Sequence, residues 1–239
     1  GATLGYDRRL SDSVFLGAAA AVSRPDFEAH DAEVTANDFT FALYGGVSLP
    51  AGMELSLMAC YGWTSYDQTR WENLRSFDSD YNSRAFSAGA ELARPFALAE
   101  NWTLRPYASY QYLHLSVDGY DEGNAAGAVS LDDYSQILNR LKAGADLIWR
   151  HESGASALLG LNYTGLYGDR EAETTGRYTL GQAGRFTAVG NGLDENSLGV
   201  ELLGELPVSD NISLTAGYSM LVGAHASTHQ GQMGIAVSW

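Results

Sequence analysis

Cysteine, proline and long apolar runs are scarce in this 239-residue sequence, and the scarcity excludes several kinds of structure. The single cysteine, Cys60, excludes an intramolecular disulfide and a cysteine-based metal site. The longest uncharged apolar run covers only residues 14–22, far too few for a helix that crosses a membrane. No segment shows the periodicity of an amphipathic helix. We therefore expect an all-β protein.

Cations are few, and recognisable catalytic motifs are lacking. Lys142 is the only lysine, and the formal net charge of −15 argues against nucleic acid binding, which needs a basic face. There is no Gly-x-Ser-x-Gly elbow and no glycine-rich phosphate loop. His225 and His229 have the spacing of a helical metal site, but they fall between two strands, where that spacing has no such meaning. We predict no enzyme activity, no catalytic or metal-binding residues and no cofactor.

The last nine residues of the chain alternate between apolar and small or polar side chains. In a strand this pattern gives one apolar face and one small, wet face. A tilted strand of nine to eleven residues is about long enough to cross a bilayer, and a terminal aromatic ring suits the membrane–water boundary. The alternative at this point is the last strand of a soluble β-sandwich. The apolar face carries Met233, Ile235, Val237 and Trp239.

Similar alternating segments recur along the whole chain and are joined by short and long connections in turn. The four longest connections, residues 23–38, 67–82, 118–134 and 169–195, hold 19 of the 29 acidic residues. Short turns at one end and long loops at the other are typical of outer-membrane barrels. The negative charge therefore belongs mostly to a solvated rim. The eleven predicted strands cover residues 2–10, 14–23, 39–49, 53–66, 85–96, 102–117, 136–150, 155–167, 197–206, 212–223 and 233–239.

The alternation over residues 140–150 indicates which face of the sheet meets lipid. Leu141, Leu147 and Trp149 share one face of this strand, and the charged residues share the other. A lipid-facing Arg or Lys costs about 2–4 kcal/mol at the bilayer midplane, so the charged face must point inward. A soluble lipocalin-like barrel would have the reverse arrangement. The predicted charged residues of the inner wall are Glu91, Arg105, Arg140, Lys142, Asp146, Glu201 and Glu205.

Two roles remain open for these inward charges at this point. They could pair with one another and support the wall, or they could also hold a helix in the pore and tune the channel. The alternation predicts their common face, but it does not separate the two roles.

Five segments, taken in order, resemble the C-terminal translocator (β) domain of monomeric type V autotransporters. Two lie early, at residues 4–17 and 61–70, and the most specific match is Arg105-Pro106-Tyr107-Ala108 followed by residues 118–122. Residues 136–144 resemble the next, Arg-bearing strand of that family, and the aromatic terminal strand completes the series. The resemblance covers essentially the whole chain, so we expect residues 1–239 to form one outer-membrane β-barrel domain.

The resemblance implies a transmembrane antiparallel up-and-down barrel of twelve strands, preceded by a helix inside the pore. Eleven strands are predicted here. Since Trp239 ends on the short-turn side, Gly1 begins on the long-loop side, and no signal peptide is visible. A closed barrel leaves no unpaired edge in lipid. We therefore expect one more strand and the pore helix to precede Gly1.

The function that the resemblance implies is to anchor and support secretion of an N-terminal passenger across the outer membrane of a Gram-negative bacterium. The implied partners are outer-membrane lipid, the barrel assembly machinery that recognises the terminal strand, the passenger and the pore helix. A stand-alone porin and an outer-membrane enzyme are the alternatives. The identity of the passenger is not contained in these residues.

Overall fold

A computed structural model describes residues 1–29, 31–72, 74–180, 184–209 and 211–237. Eleven long strands form one curled antiparallel sheet, and each strand pairs with its neighbours along this series. Within the described ranges no pairing joins the first strand to the last. The strands are β1 (Ala2–Ser11), β2 (Val14–Ser23), β3 (Ala32–Leu49), β4 (Met53–Glu72), β5 (Arg75–Ala93), β6 (Trp102–Val117), β7 (Tyr134–Arg150), β8 (Ser156–Gly168), β9 (Asn196–Ser209), β10 (Ile212–Val222) and β11 (Ser227–Val237).

The number of strands and their up-and-down order confirm the predicted fold class. Two short strands extend the wall, since Asp26–Glu28 pairs with β3 and Phe96–Ala99 pairs with β6. In the described part of the chain, the helical structure consists of a single 3-10 turn, Pro50–Gly52, between β3 and β4. None of the described residues belongs to a helix long and apolar enough to cross a membrane.

The two faces of the sheet differ as the alternation predicts. Large apolar side chains on the outer face are exposed, and Phe39, Leu57 and Leu198 are typical of them. Small polar side chains such as Ser87 and Thr164 are buried on the inner face. No large side chain of the described residues is fully buried. Apolar groups therefore face outward, an arrangement that is favourable when the surroundings are lipid.

The outer apolar band has the height of a bilayer core. On β7 the band runs from Trp149 at the short-turn end to Asn139, whose side chain accepts a hydrogen bond from Tyr110 at 2.6 Å. Ten residues at about 3.3 Å each, tilted by about 40°, give a height of about 25 Å. Similar tyrosine hydroxyl contacts join Tyr163 to Asn196 and Tyr218 to His229 on the neighbouring strands. These pairs place polar groups at the edge of the band.

The prediction of a loop over residues 67–82 is wrong. β4 continues to Glu72 and β5 begins at Arg75, so the two strands form one long hairpin. β3 and β11 also begin several residues earlier than predicted, at Ala32 and Ser227. On the hairpin both faces carry polar side chains, as at Asp67 and Gln68, because the outer face meets water and the inner face contacts the polar connection 118–134. Alternating hydrophobicity, the signal for a half-buried strand, is therefore missing there.

Two other predicted loops contain a second sheet, which we call the loop sheet. It lies at the long-connection end of the main sheet and consists of four short strands in one antiparallel ladder. Connections 118–134 and 169–195 contribute two strands each, which their polar sequences did not indicate. In ladder order the strands are Arg185–Val189, Glu173–Tyr178, Val129–Leu131 and Tyr120–Asp121.

Candidate functional site

Arg105 lies at the centre of a charged cluster on the inner face of the sheet. It is the direct cross-strand partner of Asp146, and its Nη1 atom lies 3.1 Å from the Asp146 carboxylate. Its Nη2 atom lies 2.5 Å from Glu91, and its Nε atom lies 3.5 Å from Glu54. Strands β4, β5, β6 and β7 each contribute one of these four residues. We call this group the Arg105 cluster.

The Arg105 cluster has more carboxylates than cations. Three carboxylates surround one guanidinium, and the Glu54 and Glu91 side chains are 48% and 30% exposed. Asp146 is the most protected carboxylate, at 10%. Ion pairs that water reaches contribute about 0–1 kcal/mol each. The cluster therefore has spare negative charge on side chains that remain accessible from the inner face.

The remaining cation near the cluster contacts an aromatic ring. Lys142 Nζ lies 5.3 Å from the ring centroid of Tyr107, and the Arg105 guanidinium carbon lies 5.7 Å from the same centroid. Tyr107 is itself buried. A cation over an aromatic face is attracted by the ring quadrupole. Tyr107 thus lies between the two cations and links them without neutralising the carboxylates.

Glu201 lies across the inner wall from Asp146, with a glycine between them. Gly160 pairs with Asp146 on one side and with Glu201 on the other. A Cβ atom at position 160 would lie 3.0 Å from Asp146 Oδ1 and 3.3 Å from Glu201 Cβ. Glycine therefore leaves room for both acidic side chains on one row of the sheet.

The structure brings together some, though not all, of the predicted inward charges. Arg105, Glu91 and Asp146 are in direct contact. Arg140, Lys142 and Glu201 border a separate cavity of about 650 Å³ that also includes Asn162 and Ser219. Among the described residues, Arg140, Glu201 and Glu205 form no ion pair within 4.0 Å.

Sequence reasoning missed Glu54 and Tyr107. Glu54 shares its parity along β4 with the inward residues, so the alternation contained the signal. It follows the Pro50–Gly52 turn closely, where a charged residue usually marks a strand end. Tyr107 appeared only as part of a family motif, because nothing in the sequence indicates which cations an aromatic ring will contact.

The predicted assembly signal lies only partly within the described residues. Met233 and Ile235 lie on the outer face of β11 and are 93% and 71% exposed. The backbone of Val237 pairs with Ile212. The Val237 side chain lies outside the part of the chain that the structure describes. Trp239 lies outside the described residues.

The histidines have other contacts. His225 Nδ1 lies 2.7 Å from Asp194, and His229 Nδ1 lies 2.7 Å from the Tyr218 hydroxyl. Over the described ranges, no three His, Cys, Asp or Glu side chains come together as metal ligands would.

Comparison with known proteins extends the resemblance noted in the sequence. The family model described as "Autotransporter beta-domain" matches residues 1–219. An uncharacterized protein in the trpE-trpG intergenic region of Pseudomonas putida is 31% identical over 59% of this chain. That match covers 25% of the relative, so the chain spans about a quarter of its length.

Solved structures share the fold at low sequence identity. The translocator domain of autotransporter NalP from Neisseria meningitidis has a TM-score of 0.78 at 13% identity, with 99% of this chain and 78% of that one covered. The transport unit of AIDA-I from Escherichia coli has a TM-score of 0.70 at 15% identity, with 99% and 81% covered. The β domain of the Bordetella autotransporter BrkA has a TM-score of 0.67 at 16% identity, with 99% and 89% covered.

Proposed function

Since the chain belongs to the autotransporter β-domain family, we propose that residues 1–239 form one domain that spans the bacterial outer membrane and lines a pore there. Translocator domains of this family anchor in the outer membrane and secrete passenger domains. The outer apolar band, about 25 Å high, supports the proposed location because lipid would cover it.

The charge surplus of the Arg105 cluster is the observation that supports a specific role within the pore. We propose that Glu54 and Glu91 bind cationic side chains of the polypeptide inside the pore, including the pore helix. Both carboxylates point to the inner face and are partly exposed. Arg105 can neutralise only one of the three carboxylates, so a passing Lys or Arg would find an unpaired negative charge. Asp146, which is more protected, would keep Arg105 in place.

A wider set of inward charges would line the route beyond the cluster. Lys142, Arg140 and Glu201 border the 650 Å³ cavity, and Glu205 lies farther along β9. Because cations and anions are both present, they would favour weak contacts with many sequences, since screened pairs contribute little individually. In this proposal they tune the pore and the Arg105 cluster provides its main binding site.

The terminal strand would serve assembly. We propose that the outer face of β11, with Met233 and Ile235, together with Val237 and Trp239, is read by the barrel assembly machinery. Its strongly exposed apolar side chains would be recognised before lipid covers them.

A variant that neutralises two carboxylates of the Arg105 cluster distinguishes binding of the secreted chain from support of the barrel wall. The double variant Glu54→Gln with Glu91→Gln keeps the Arg105–Asp146 pair, at 3.1 Å, with balanced charge. We expect several-fold less passenger at the surface of cells that express the natural protein with these changes. Heat-modifiable gel mobility should report an unchanged amount of folded barrel.

The matched control removes two carboxylates from the outer face of the same hairpin. Asp67 and Asp80 are direct cross-strand partners there, so Asp67→Asn with Asp80→Asn makes the same change in net charge. Surface display should stay at the wild-type level. A fall in the amount of folded barrel in the inner-wall variant, with unchanged display per folded barrel, would show that the cluster only supports the wall.

A further inference from the structure

The hairpin of β4 and β5 rises well above the apolar band. On the outer face of β4 the last large apolar side chain before a polar stretch is Trp63, which is 52% exposed. Arg70 lies seven residues farther along the strand, about 23 Å at the usual strand rise. In the proposed orientation, the upper hairpin therefore stands in the extracellular space.

The connection that follows β6 leans against the pore side of this hairpin. The Tyr120 ring stacks on Tyr81 with centroids 5.1 Å apart, and Tyr81 stacks on Tyr66 at 4.7 Å. Tyr66 and Tyr81 are cross-strand partners, and they share the inward parity of Glu54 and Glu91. The strand Tyr120–Asp121 of the loop sheet is thus placed on the side that faces the pore axis.

A buried ion pair holds this arrangement in place. The Arg70 guanidinium makes two hydrogen bonds to the Glu122 carboxylate, at 2.9 and 2.7 Å. It also donates to the Gly127 carbonyl at 2.8 Å and to Glu72 at 2.7 Å. The Glu122 side chain is 0% exposed. Bidentate pairing of this kind is strong and geometrically specific.

The contacts around the ion pair fix the rest of the connection. Glu122 accepts a further hydrogen bond from the Val129 backbone N–H at 2.9 Å. The Arg70 guanidinium lies 5.0 Å from the ring centroid of Phe77. Gly127 has a φ of +93° and approaches the same ring so closely that a Cβ would lie 3.3 Å from it. Glycine is required there for both reasons.

Two more joints continue this series of contacts from the loop after β6 towards the last strands of the sheet. Ser130 pairs with Arg177 in the backbone ladder of the loop sheet, which joins connection 118–134 to connection 169–195. Asp194 then accepts hydrogen bonds from the backbone N–H groups of His225 and Ala226, in the turn between β10 and β11. The chain of contacts therefore runs from the β4–β5 hairpin to the β10–β11 turn.

We propose that the loop sheet is a lid over the extracellular mouth of the pore, and that the Arg70–Glu122 ion pair is the latch at which it opens. The proposal rests on the proposed function, because it requires a pore with this orientation. In the described residues, the joint between the upper hairpin and residues 120–129 depends on side chains, whereas the joint inside the loop sheet is a backbone ladder. A side-chain joint can open without breaking strand pairing.

The test combines surface proteolysis with channel recording on the natural protein. Glu122→Gln keeps the size of the side chain and removes its charge, and Arg70→Met weakens the same joint from the other side. With either variant, trypsin added to intact cells should cleave after Arg177 about a hundredfold faster or more, because removal of one partner of a buried pair is strongly destabilising. In planar bilayers we expect the purified wild-type protein to show a low-conductance state, in which the lid is closed, and the two variants to lose this state.

Arg185→Met is the matched control within the same lid. Arg185 pairs with Asp132 at 3.1 Å on side chains that are 67% and 47% exposed, so its loss should change neither measurement. Heat-modifiable mobility identifies variants whose barrel has not folded, and the two latch variants must agree.

Three results would each overturn one part of the proposal: the latch, the closure of the pore or the extracellular position of the loops. Unchanged cleavage in both folded latch variants would show that the ion pair does not hold the lid. Faster cleavage with an unchanged low-conductance state would show that the loop sheet does not close the pore. Cleavage after Arg177 in lysed cells alone would instead refute the extracellular position of the loops, and with it the proposed orientation.

Discussion

Arg105 and Arg70 are each surrounded by carboxylates, but the two sites differ in charge balance and in solvent access. Arg105 faces three carboxylates, of which Glu54 and Glu91 remain partly exposed. Arg70 meets the fully buried Glu122 in a bidentate pair and fills its other donors with Glu72 and a backbone carbonyl. The two exposed carboxylates of the first site can accept another cation, whereas the buried Glu122 carboxylate of the second is already paired with Arg70. One residue type thus supports a binding surface in the wall and a structural joint above it.

The largest effect in this comparison should come from Arg70→Met. It leaves the buried Glu122 carboxylate without its cation, which costs about 3–5 kcal/mol for a buried pair. We expect the Val129 amide, which donates to Glu122, to exchange its hydrogen much faster while the amides of the wall strands keep their protection. Exchange at Val129 that matches the wild type would mean that the pair does not stabilise the lid.

Arg105→Met should have a smaller effect on stability, about 1–2 kcal/mol, because water still reaches two of the carboxylates that lose their partner. The measurement is the urea midpoint of the folded barrel, followed by gel mobility. If Arg105→Met lowered the free energy of unfolding by more than Arg70→Met lowers the local opening free energy, the comparison would be reversed. The Arg105 cluster would then be the main structural joint.

The smallest effect concerns the third joint and depends on pH. The hydrogen bond with His225, with further help from backbone N–H groups, lowers the pKa of Asp194 below its ordinary value of 3.8. A carboxylate with a lowered pKa contributes stability above its ordinary pKa, and that contribution disappears as the pH falls through the lowered value. The Ala226 amide should therefore lose protection below about pH 3.8.

Asp194→Asn provides the control for this pH dependence. The variant should show reduced protection of Ala226 at neutral pH and no further loss on acidification. The same acid-dependent loss in the variant would assign the effect to another group.

The sequence predicted the wall far better than the structures above it. Alternation requires one apolar face where lipid covers the sheet, so the strands and the inward direction of Arg105, Asp146 and Glu91 could be predicted. Above the band the outer face meets water and the inner face meets a polar connection, so the alternation ends. Arg70 and Glu122 lie 52 positions apart within polar segments, so no local pattern indicates that they meet.

The contacts inside the wall were predictable only in part. The direct pairing of Arg105 with Asp146 depends on the register of β6 and β7. The sequence pattern does not give this register, because the long connection 118–134 joins the two strands in place of a tight turn. Glu54 had the correct parity but reaches Arg105 across β5, a contact between side chains of strands that are not neighbours. Parity assigns a face, whereas length and direction of the side chain decide its partners.

The most direct test of the central claim places a photo-cross-linking residue on the two faces of β4. Position 56 carries an inward serine opposite Glu91, and position 57 carries an outward leucine that is 52% exposed. During secretion by the natural protein, we expect position 56 to form an adduct with the polypeptide in the pore and position 57 to form none. Equal adducts from both positions, or an adduct from position 57 alone, would contradict an inner wall that binds the secreted chain.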